Sequence, residues 1–415
     1  MNNAVHVIII GAGIGGLTLA QGLRKQGIPF SVYERDTAIN SRPQGYRLRL
    51  NNDGYNSLEK TLSETVFTQF LATATTTQAF EAVNSARQEK PSNIDAITGY
   101  EFPHEQGRGP PPPHAGFDPS KVKSVDRTVF RTLLALDLPI NFDHEYESHT
   151  TKPDGHVLVT FKNGKCVTGT LLVSASGGFS KFRPPNTQHN LDTTGRAIYG
   201  KTPLTPAFEA VFPVSALQTT AAIGTRSPLV TMLTEPVRFN PAVYNAIPGL
   251  AIPPAYMYWV LVTNAETFGQ YMSDAEISAS RNNSEVVKEV VLKIATDWHP
   301  SIKILFEMQS TRDTAALRIS TTPSDIAPWP STTNVTYIGD AAHAMSPTAG
   351  LGANTALKDA ALLCKLITEK GISESVISEY EVEMRKYAGV AINASRMGGV
   401  KFYNQPDFAA CKEIV

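Results

Sequence analysis

Val5 to Ile10 is a β-branched run that stops at Gly11, and the residues after it place Leu17, Ala20 and Leu23 at helical spacing. Gly27-Ile28-Pro29 breaks that helix, and Phe30 to Glu34 returns to a strand pattern. Strand, tight turn, helix and strand make a βαβ unit whose strands should pair in parallel. Further along, Asp126 to Leu134 has helical character. His156 to Phe161, Asn163-Gly164 and Cys166 to Val173 predict a hairpin closed by a type I′ turn, its second arm ending at Ser174-Ala175-Ser176-Gly177. Strand-like runs between Gly195 and Asn264, Tyr256 to Thr263 among them, are cut by prolines and glycines and predict a mainly antiparallel sheet. Ala275 to Thr296 reads as helix, Asn334 to Ile338 as a short strand, and Ala353 to Ile367 as a helix after a glycine-rich turn. Gly107 to Ser120 holds four consecutive prolines, Pro110 to Pro113, and predicts an extended surface loop. No internal repeat or charge block interrupts this order.

At 415 residues the chain exceeds one ordinary core, so a large domain and a smaller one are expected. A hydrophobic content of 42% supports a well-buried interior, and 18% charged residues with a net charge of -1 supply no basic field for nucleic acid. Small molecules are the expected partners. Cys166, Cys364 and Cys411 form no C-x-x-C and suggest neither a disulfide framework nor a zinc site. Met1 to Ala4 lead directly into the first strand without the features of a signal peptide, and apolar runs such as Val7–Ala12 and Trp259–Val262 are too short to span a bilayer. A soluble, cytoplasmic protein is expected, with its oligomeric state open.

Gly11-x-Gly13-x-x-Gly16 lies between the first strand and its helix, where glycines permit a tight turn and close approach of backbone amides to a pyrophosphate. Glu34 ends the second strand at the distance where a carboxylate reaches ribose hydroxyls, which favours FAD or NAD. The bland alternative is an ordinary glycine turn. A second constellation runs Tyr337-Ile338-Gly339-Asp340-Ala341-Ala342-His343, continues through Pro347-Thr348-Ala349-Gly350-Leu351-Gly352-Ala353-Asn354-Thr355-Ala356, and reaches Asp359-Ala360. With the N-terminal fingerprint it resembles the aromatic-hydroxylase family of FAD-dependent monooxygenases, the class A, para-hydroxybenzoate-hydroxylase-like flavoproteins. The resemblance implies that Asp340 holds the FAD ribityl chain. It also implies that the loop through Gly350, Gly352 and Ala353 faces the pyrimidine edge of the flavin from a helix start, where the dipole stabilises negative charge.

Supporting matches are Gln44-Gly45-Tyr46-Arg47-Leu48-Arg49, Arg127-x-x-Phe130-Arg131-x-x-Leu134 and Ile198-Tyr199-Gly200-Lys201-Thr202. By the resemblance Arg127 reaches the FAD, where a guanidinium pairs with phosphate oxygens, and Arg47 does similar work. A surface salt bridge for Arg127 and an exposed loop position for Arg47 are the alternatives. One match is broken: the family's G-A-D-G-x-x-S-x-V-R reads Ser174-Ala175-Ser176-Gly177-Gly178-Phe179-Ser180-Lys181-Phe182-Arg183, so Ser176 replaces an aspartate. That puts NAD(P)H use in question more than flavin binding. His144 and His149, with Asp143, Glu145 and Glu147, form a solvated connection or, less in keeping with their spacing, a metal site. Tyr256, Tyr258 and Trp259 read as sheet packing rather than substrate contacts, and His343 as a structural partner rather than a proton shuttle.

The expected fold is α/β: a discontinuous Rossmann-like FAD-binding domain at 1–70, 121–186 and 325–370, an inserted antiparallel-sheet substrate domain at 71–120 and 187–324, and C-terminal helices at 371–415. The resemblance implies noncovalent FAD, NADPH or NADH as reductant, and transfer of one oxygen of O2, through a flavin C4a-hydroperoxide, to an electron-rich aromatic, enol or alkene, a secondary metabolite. No side chain is named as catalytic. The alternative is a flavin-binding protein with impaired NAD(P)H use, serving as a non-redox isomerase or cyclase.

Overall fold

The computed structural model describes residues 5–39, 41, 46–75, 92–102, 118–185, 189–218, 220–243, 246–280 and 283–414. The proline run Pro110–Pro113 lies outside the described residues.

The apolar first strand, Val7–Ile10, has all four residues buried and forms the middle of a five-stranded sheet. Phe30–Tyr33 lies parallel on one side and Leu171–Ser174 parallel on the other. Val335–Tyr337 and Ile140–Asn141 complete the two edges, also in parallel. A strand buried on both faces reads as a continuous hydrophobic run, which is what Val7–Ile10 shows. Helix Ile14–Lys25 covers one face of this sheet beside helix Gly352–Lys370, with Leu17, Ala20 and Leu23 fully buried.

The hairpin expected around Asn163-Gly164 forms with two differences. Only Gly164 has a positive φ, and Gly164 N donates to Phe161 O at 2.9 Å, so the turn is type I followed by a left-handed glycine rather than type I′. Its second arm also splits. Cys166–Gly169 pairs with Val157–Phe161, whereas Leu171–Ser174 crosses into the parallel sheet because Leu171, Leu172 and Val173 are apolar enough to be buried on both faces. The helix expected over 275–296 is likewise two helices, Asp274–Ala279 and Ser284–Ile294.

The second sheet runs Ser310–Thr321, Asn190–Pro203, Tyr256–Asn264, Leu229–Val237, Ala221–Arg226, Ser92–Asp95 and Glu101–Phe102. All its neighbours are antiparallel except Ala221–Arg226 with Ser92–Asp95. Its alternation separates two cores. Met257, Trp259 and Leu261 pack with helix residues such as Phe208, Val287 and Phe306, while Tyr256 and Val237 face back into the core of the parallel-sheet domain. Helix Glu374–Tyr403 crosses both domains, and the chain then adds a strand, Lys412–Ile414, to the antiparallel sheet, so the C-terminal segment is not helical throughout. Among the described residues no helix is long and apolar enough to cross a membrane.

The glycine fingerprint divides into a packing role and an open one. A Cβ at Gly16 would lie 2.1 Å from Gly11 O and 3.0 Å from Ala175 Cβ, whereas a Cβ at Gly13 would meet nothing within 4 Å among the described residues. Gly16→Ala is therefore expected to destabilise the fold by about 2–3 kcal/mol through overpacking against a carbonyl. Gly13→Ala should cost no more than about 1 kcal/mol. Chemical denaturation of both variants checks the contrast; equal losses would contradict it.

Candidate FAD site

The first strand hands over to its helix at Gly11, whose φ of +111° and N–H donated to Tyr33 O at 2.7 Å turn the chain sharply. No side chain caps the helix at Gly13, so its first-turn N–H groups remain for an anion. Glu34 is buried beside this turn. Its Oε2 accepts from Ala12 N at 2.8 Å, its Oε1 accepts from Asp36 N at 3.0 Å, and Arg131 Nη2 stands 3.4 Å from Oε2. Arg131 also donates from Nε to Ala12 O at 2.8 Å and from Nη1 to Ile39 O at 2.6 Å. It braces the fingerprint turn against Glu34, a role its place in the motif around Phe130 did not disclose.

The second motif builds the far end. Gly339 takes a φ of +62°, and its N–H donates to Asp359 Oδ2 at 2.7 Å, which fixes the turn that presents Asp340 at the start of helix Asp340–His343. Asp359 is fully buried and also accepts from His343 Nε2 at 2.6 Å and Tyr387 OH at 2.7 Å. His343 is thus a structural partner, as its position suggests. The Asp359 carboxylate raises the His343 pKa against the opposing effect of burial. Asp340 differs from its neighbours: Ala341, Ala342 and His343 are buried, yet the Asp340 side chain is exposed, so it faces a cleft within the protein. Its depth raises the carboxyl pKa, opposed by the charges of His343, Arg127 and Arg183.

After Asp340 the chain turns through Pro347–Ala349 and Gly350, at φ +65°, into helix Gly352–Lys370, which has neither a side-chain cap nor an acidic residue in its first turn. A Cβ at Gly352 would stand 3.9 Å from Asp340 Oδ1, so Gly352, flanked in sequence by Gly350 and Ala353, adjoins that carboxylate. Asn354 secures the helix start by accepting from Asn51 N at 2.9 Å and donating to Arg49 O and Gly350 O at 2.9 Å each. The two motifs, more than three hundred residues apart, meet where a Cβ at Gly15 would come within 3.3 Å of Ala356 Cβ. Arg127 enters the same region, its guanidinium 5.1 Å from the Tyr46 ring centroid.

Arg47 is placed differently. It forms an ion pair with Glu235 of the antiparallel sheet, both side chains mostly buried, and burial pushes its pKa down to about 10. At the broken motif, Ser176 Oγ lies 2.8 Å from Ser174 Oγ and donates to Phe182 O at 3.2 Å, a donation a carboxylate could not make. Arg183 is buried, bonded to Gly178 O, Asn190 Oδ1 and Ala341 O, and its Nη2 has no hydrogen-bond partner among the described residues. Of the three sheet aromatics, Tyr256 donates to Asp126 and Trp259 Nε1 to Thr202 Oγ1, both within cores. His149 Nδ1 bonds Tyr146 OH, and His144 Nδ1 bonds Phe142 O.

These residues fit FAD. Gly13 faces open space beside an uncapped helix start, as a pyrophosphate requires, and Asp340 is an open acceptor deep in the cleft beside a second uncapped helix. Asp340→Ala is expected to weaken FAD binding about 10- to 100-fold, the loss of a hydrogen bond to a charged acceptor. Arg47→Ala should instead cost about 3–5 kcal/mol of stability by leaving Glu235 buried without its cation. Titrating apo-protein with FAD and denaturing each variant separates the two effects. His343 gives a pH signature. Because its folded pKa is raised, its contribution is complete below the unfolded value of about 6.5 and is lost as pH rises through the folded value. The stability difference between wild type and His343→Gln should therefore shrink on the alkaline side; a difference that grows there would refute the pairing.

The FAD binding domain family matches residues 313–395, which contain Asp340 and the glycine-rich helix start, and the NAD(P)-binding Rossmann-like domain family matches residues 9–55, which contain the fingerprint and Glu34. The dual O-methyltransferase/FAD-dependent monooxygenase of Cercospora beticola is 35% identical over 99% of this chain, and the chain spans about half of that relative's length (47%). An FAD-dependent monooxygenase of Aspergillus terreus is 26% identical, the match covering 91% of this chain and 92% of the relative. Among solved structures, an FAD-containing monooxygenase from Photorhabdus luminescens superposes with a TM-score of 0.72 at 26% identity, over 96% of this chain and 98% of that one. Both nucleotide motifs are matched, and over nearly its whole length the chain is similar in sequence and fold to FAD-dependent monooxygenases.

Proposed function

We propose that this chain inserts one oxygen atom of O2 into a small, electron-rich organic substrate, with NADPH or NADH as reductant. The observation that carries this reading is that the Gly11–Gly16 turn and the Asp340–Ala356 segment meet at one site, a Cβ at Gly15 coming within 3.3 Å of Ala356 Cβ. In it, the amides at the start of helix Ile14–Lys25 bind the pyrophosphate, Glu34 accepts a ribose hydroxyl, and Asp340 accepts from the ribityl chain. Arg127 supplies a cation beside Asp340, and the uncapped start of helix Gly352–Lys370 favours negative charge on the flavin. Bound FAD supplies the two-electron and oxygen chemistry. The antiparallel sheet closes the cleft from water and orients the substrate, with Tyr46 and Tyr199 packed edge to face, 5.6 Å apart, next to Arg127. A cytoplasmic setting suits the three cysteines, none of which is paired. The chain spans about half (47%) of a relative whose name also carries a methyltransferase, and the nucleotide motifs support its assignment to the monooxygenase activity in that name.

A second reading, a flavin-dependent isomerase or cyclase without net redox, is favoured by Ser176, whose hydroxyl is engaged within its own loop. Anaerobic mixing with NADH or NADPH decides between them. The monooxygenase reading expects the flavin absorbance at visible wavelengths to bleach and air to restore it with uptake of O2. Flavin that stays oxidised with both nucleotides, in the presence and absence of phenolic compounds, would transfer support to the second reading. Folded protein that neither carries nor takes up FAD would defeat both.

A further inference from the structure

Strands Arg47–Leu50 and Lys123–Asp126 form a two-stranded ribbon of the cofactor domain in which Arg47 stands directly opposite Asp126. Across the antiparallel sheet, Glu235, Tyr258 and Lys201 form one row, since Tyr258 pairs in register with both. The ribbon lies on this row with charges matched: Arg47 pairs with Glu235, and Lys201 Nζ donates to Asp126 Oδ2 at 2.6 Å. Every remaining carboxylate oxygen is used. Ser124 Oγ donates to Glu235 at 2.8 Å, Thr220 Oγ1 at 3.2 Å, and Tyr256 OH donates to Asp126 Oδ2 at 2.6 Å. Asp126 and Glu235 are each 1% exposed and Lys201 is 7% exposed, so two ion pairs are sealed between the domains.

Buried ion pairs are poor sources of net stability but strong discriminators of register, because the misaligned state strands charges away from water. Sliding the ribbon by one residue would present Leu48 and Val125, which lie opposite each other, to Glu235 and Lys201. Asp126 has a further task. Its Oδ1 accepts from Thr128 N at 2.8 Å and Val129 N at 3.0 Å, capping the helix whose first residue is Arg127. One carboxylate therefore grips the substrate sheet with one oxygen and aims the helix of Arg127 with the other.

We propose that Arg47, Glu235, Asp126 and Lys201 form a registration device that sets the substrate sheet against the cofactor domain, with Asp126 as the positioning residue for Arg127. The inference rests on the FAD reading of the cleft. It is tested in the full-length holo-protein with Lys201→Met, which strands the Asp126 charge, and with Lys201→Met combined with Asp126→Asn, which removes both charges while keeping a good helix cap. The single variant should lower the thermal midpoint, and the double variant should recover most of that loss. With FAD bound, the double variant should nevertheless show an altered visible circular dichroism of the flavin and a several-fold rise in H2O2 released per NADH or NADPH oxidised. Flavin dichroism and peroxide yield equal to wild type would overturn the proposal, and so would failure of the double variant to recover the midpoint, since the pairs would then serve stability alone. Absence of FAD from the wild type would fail the FAD reading itself, a result distinct from unchanged spectra in the variant.

Discussion

The cofactor end of this protein depends on how closely the turn at Gly11 passes the end of the neighbouring strand. A methyl group at Gly11 would lie 2.4 Å from Ala175 O, and one at Gly16 would strike the Gly11 carbonyl. Because neither side chain exists, strand Val7–Ile10 can run in register with Leu171–Ser174 to its last residue, Ile10 opposite Ser174, before the chain turns into its helix. That register brings helix Ile14–Lys25 against helix Gly352–Lys370 and so places the fingerprint beside the Asp340 segment. A shift of a single ångström at Gly16 would be transmitted to every group that lines the cleft, since close-packed interiors have little free volume to absorb it.

The second organising feature is the use of buried carboxylates as junctions. An ionised carboxylate only accepts, with several lone-pair sites, so one group can gather donors from elements far apart in sequence. Asp359 collects Gly339 N, His343 and Tyr387, tying the motif turn to two long helices. Glu34 collects Ala12 N, Asp36 N and Arg131. Glu381, also fully buried, collects Ser331 and Thr336. Burial of a charge is tolerated because each has its partners in place, and removing a partner is costly for the same reason. Asp340 stands apart, an exposed carboxylate among buried neighbours, which is the condition expected of a group whose partner is a bound molecule.

Ser176 shows how a departure from a family motif is absorbed. The hydroxyl keeps the loop together by donating to the Phe182 carbonyl alongside Ser174, whose Oγ donates to the same oxygen at 2.6 Å. Arg183, at the end of the motif, remains buried through three carbonyl and amide oxygens, and burial pushes its pKa down to about 10 although Asp340 opposes the shift. The loop is thus held by neutral hydroxyl groups where the resembled motif has a charge.

Local pattern alone determined the elements whose signals are short in range. The β-branched first strand, the three glycines, the helix over Leu17, Ala20 and Leu23, and the uncapped glycine-rich entry to helix Gly352–Lys370 all follow from backbone sterics and side-chain periodicity within a few residues. Glu34 was singled out for the same reason, since its spacing from the glycine turn is local, whereas Asp340 was singled out only through the resemblance of its motif. Tertiary structure decided the rest. Cys166 to Val173 carries one strand pattern, yet its halves enter different sheets, because only the burial available beside Val7–Ile10 distinguishes them. Arg47 reads as one more cation near the cofactor, but its partner Glu235 lies 188 residues further along the chain. Asp126 reads as the start of a helical stretch, and nothing near it in sequence shows that it caps the helix or that Lys201 and Tyr256 share its carboxylate. Charge pairing acts through space and carries no periodicity along the chain, so its pattern emerged only when the ribbon and the sheet were brought face to face.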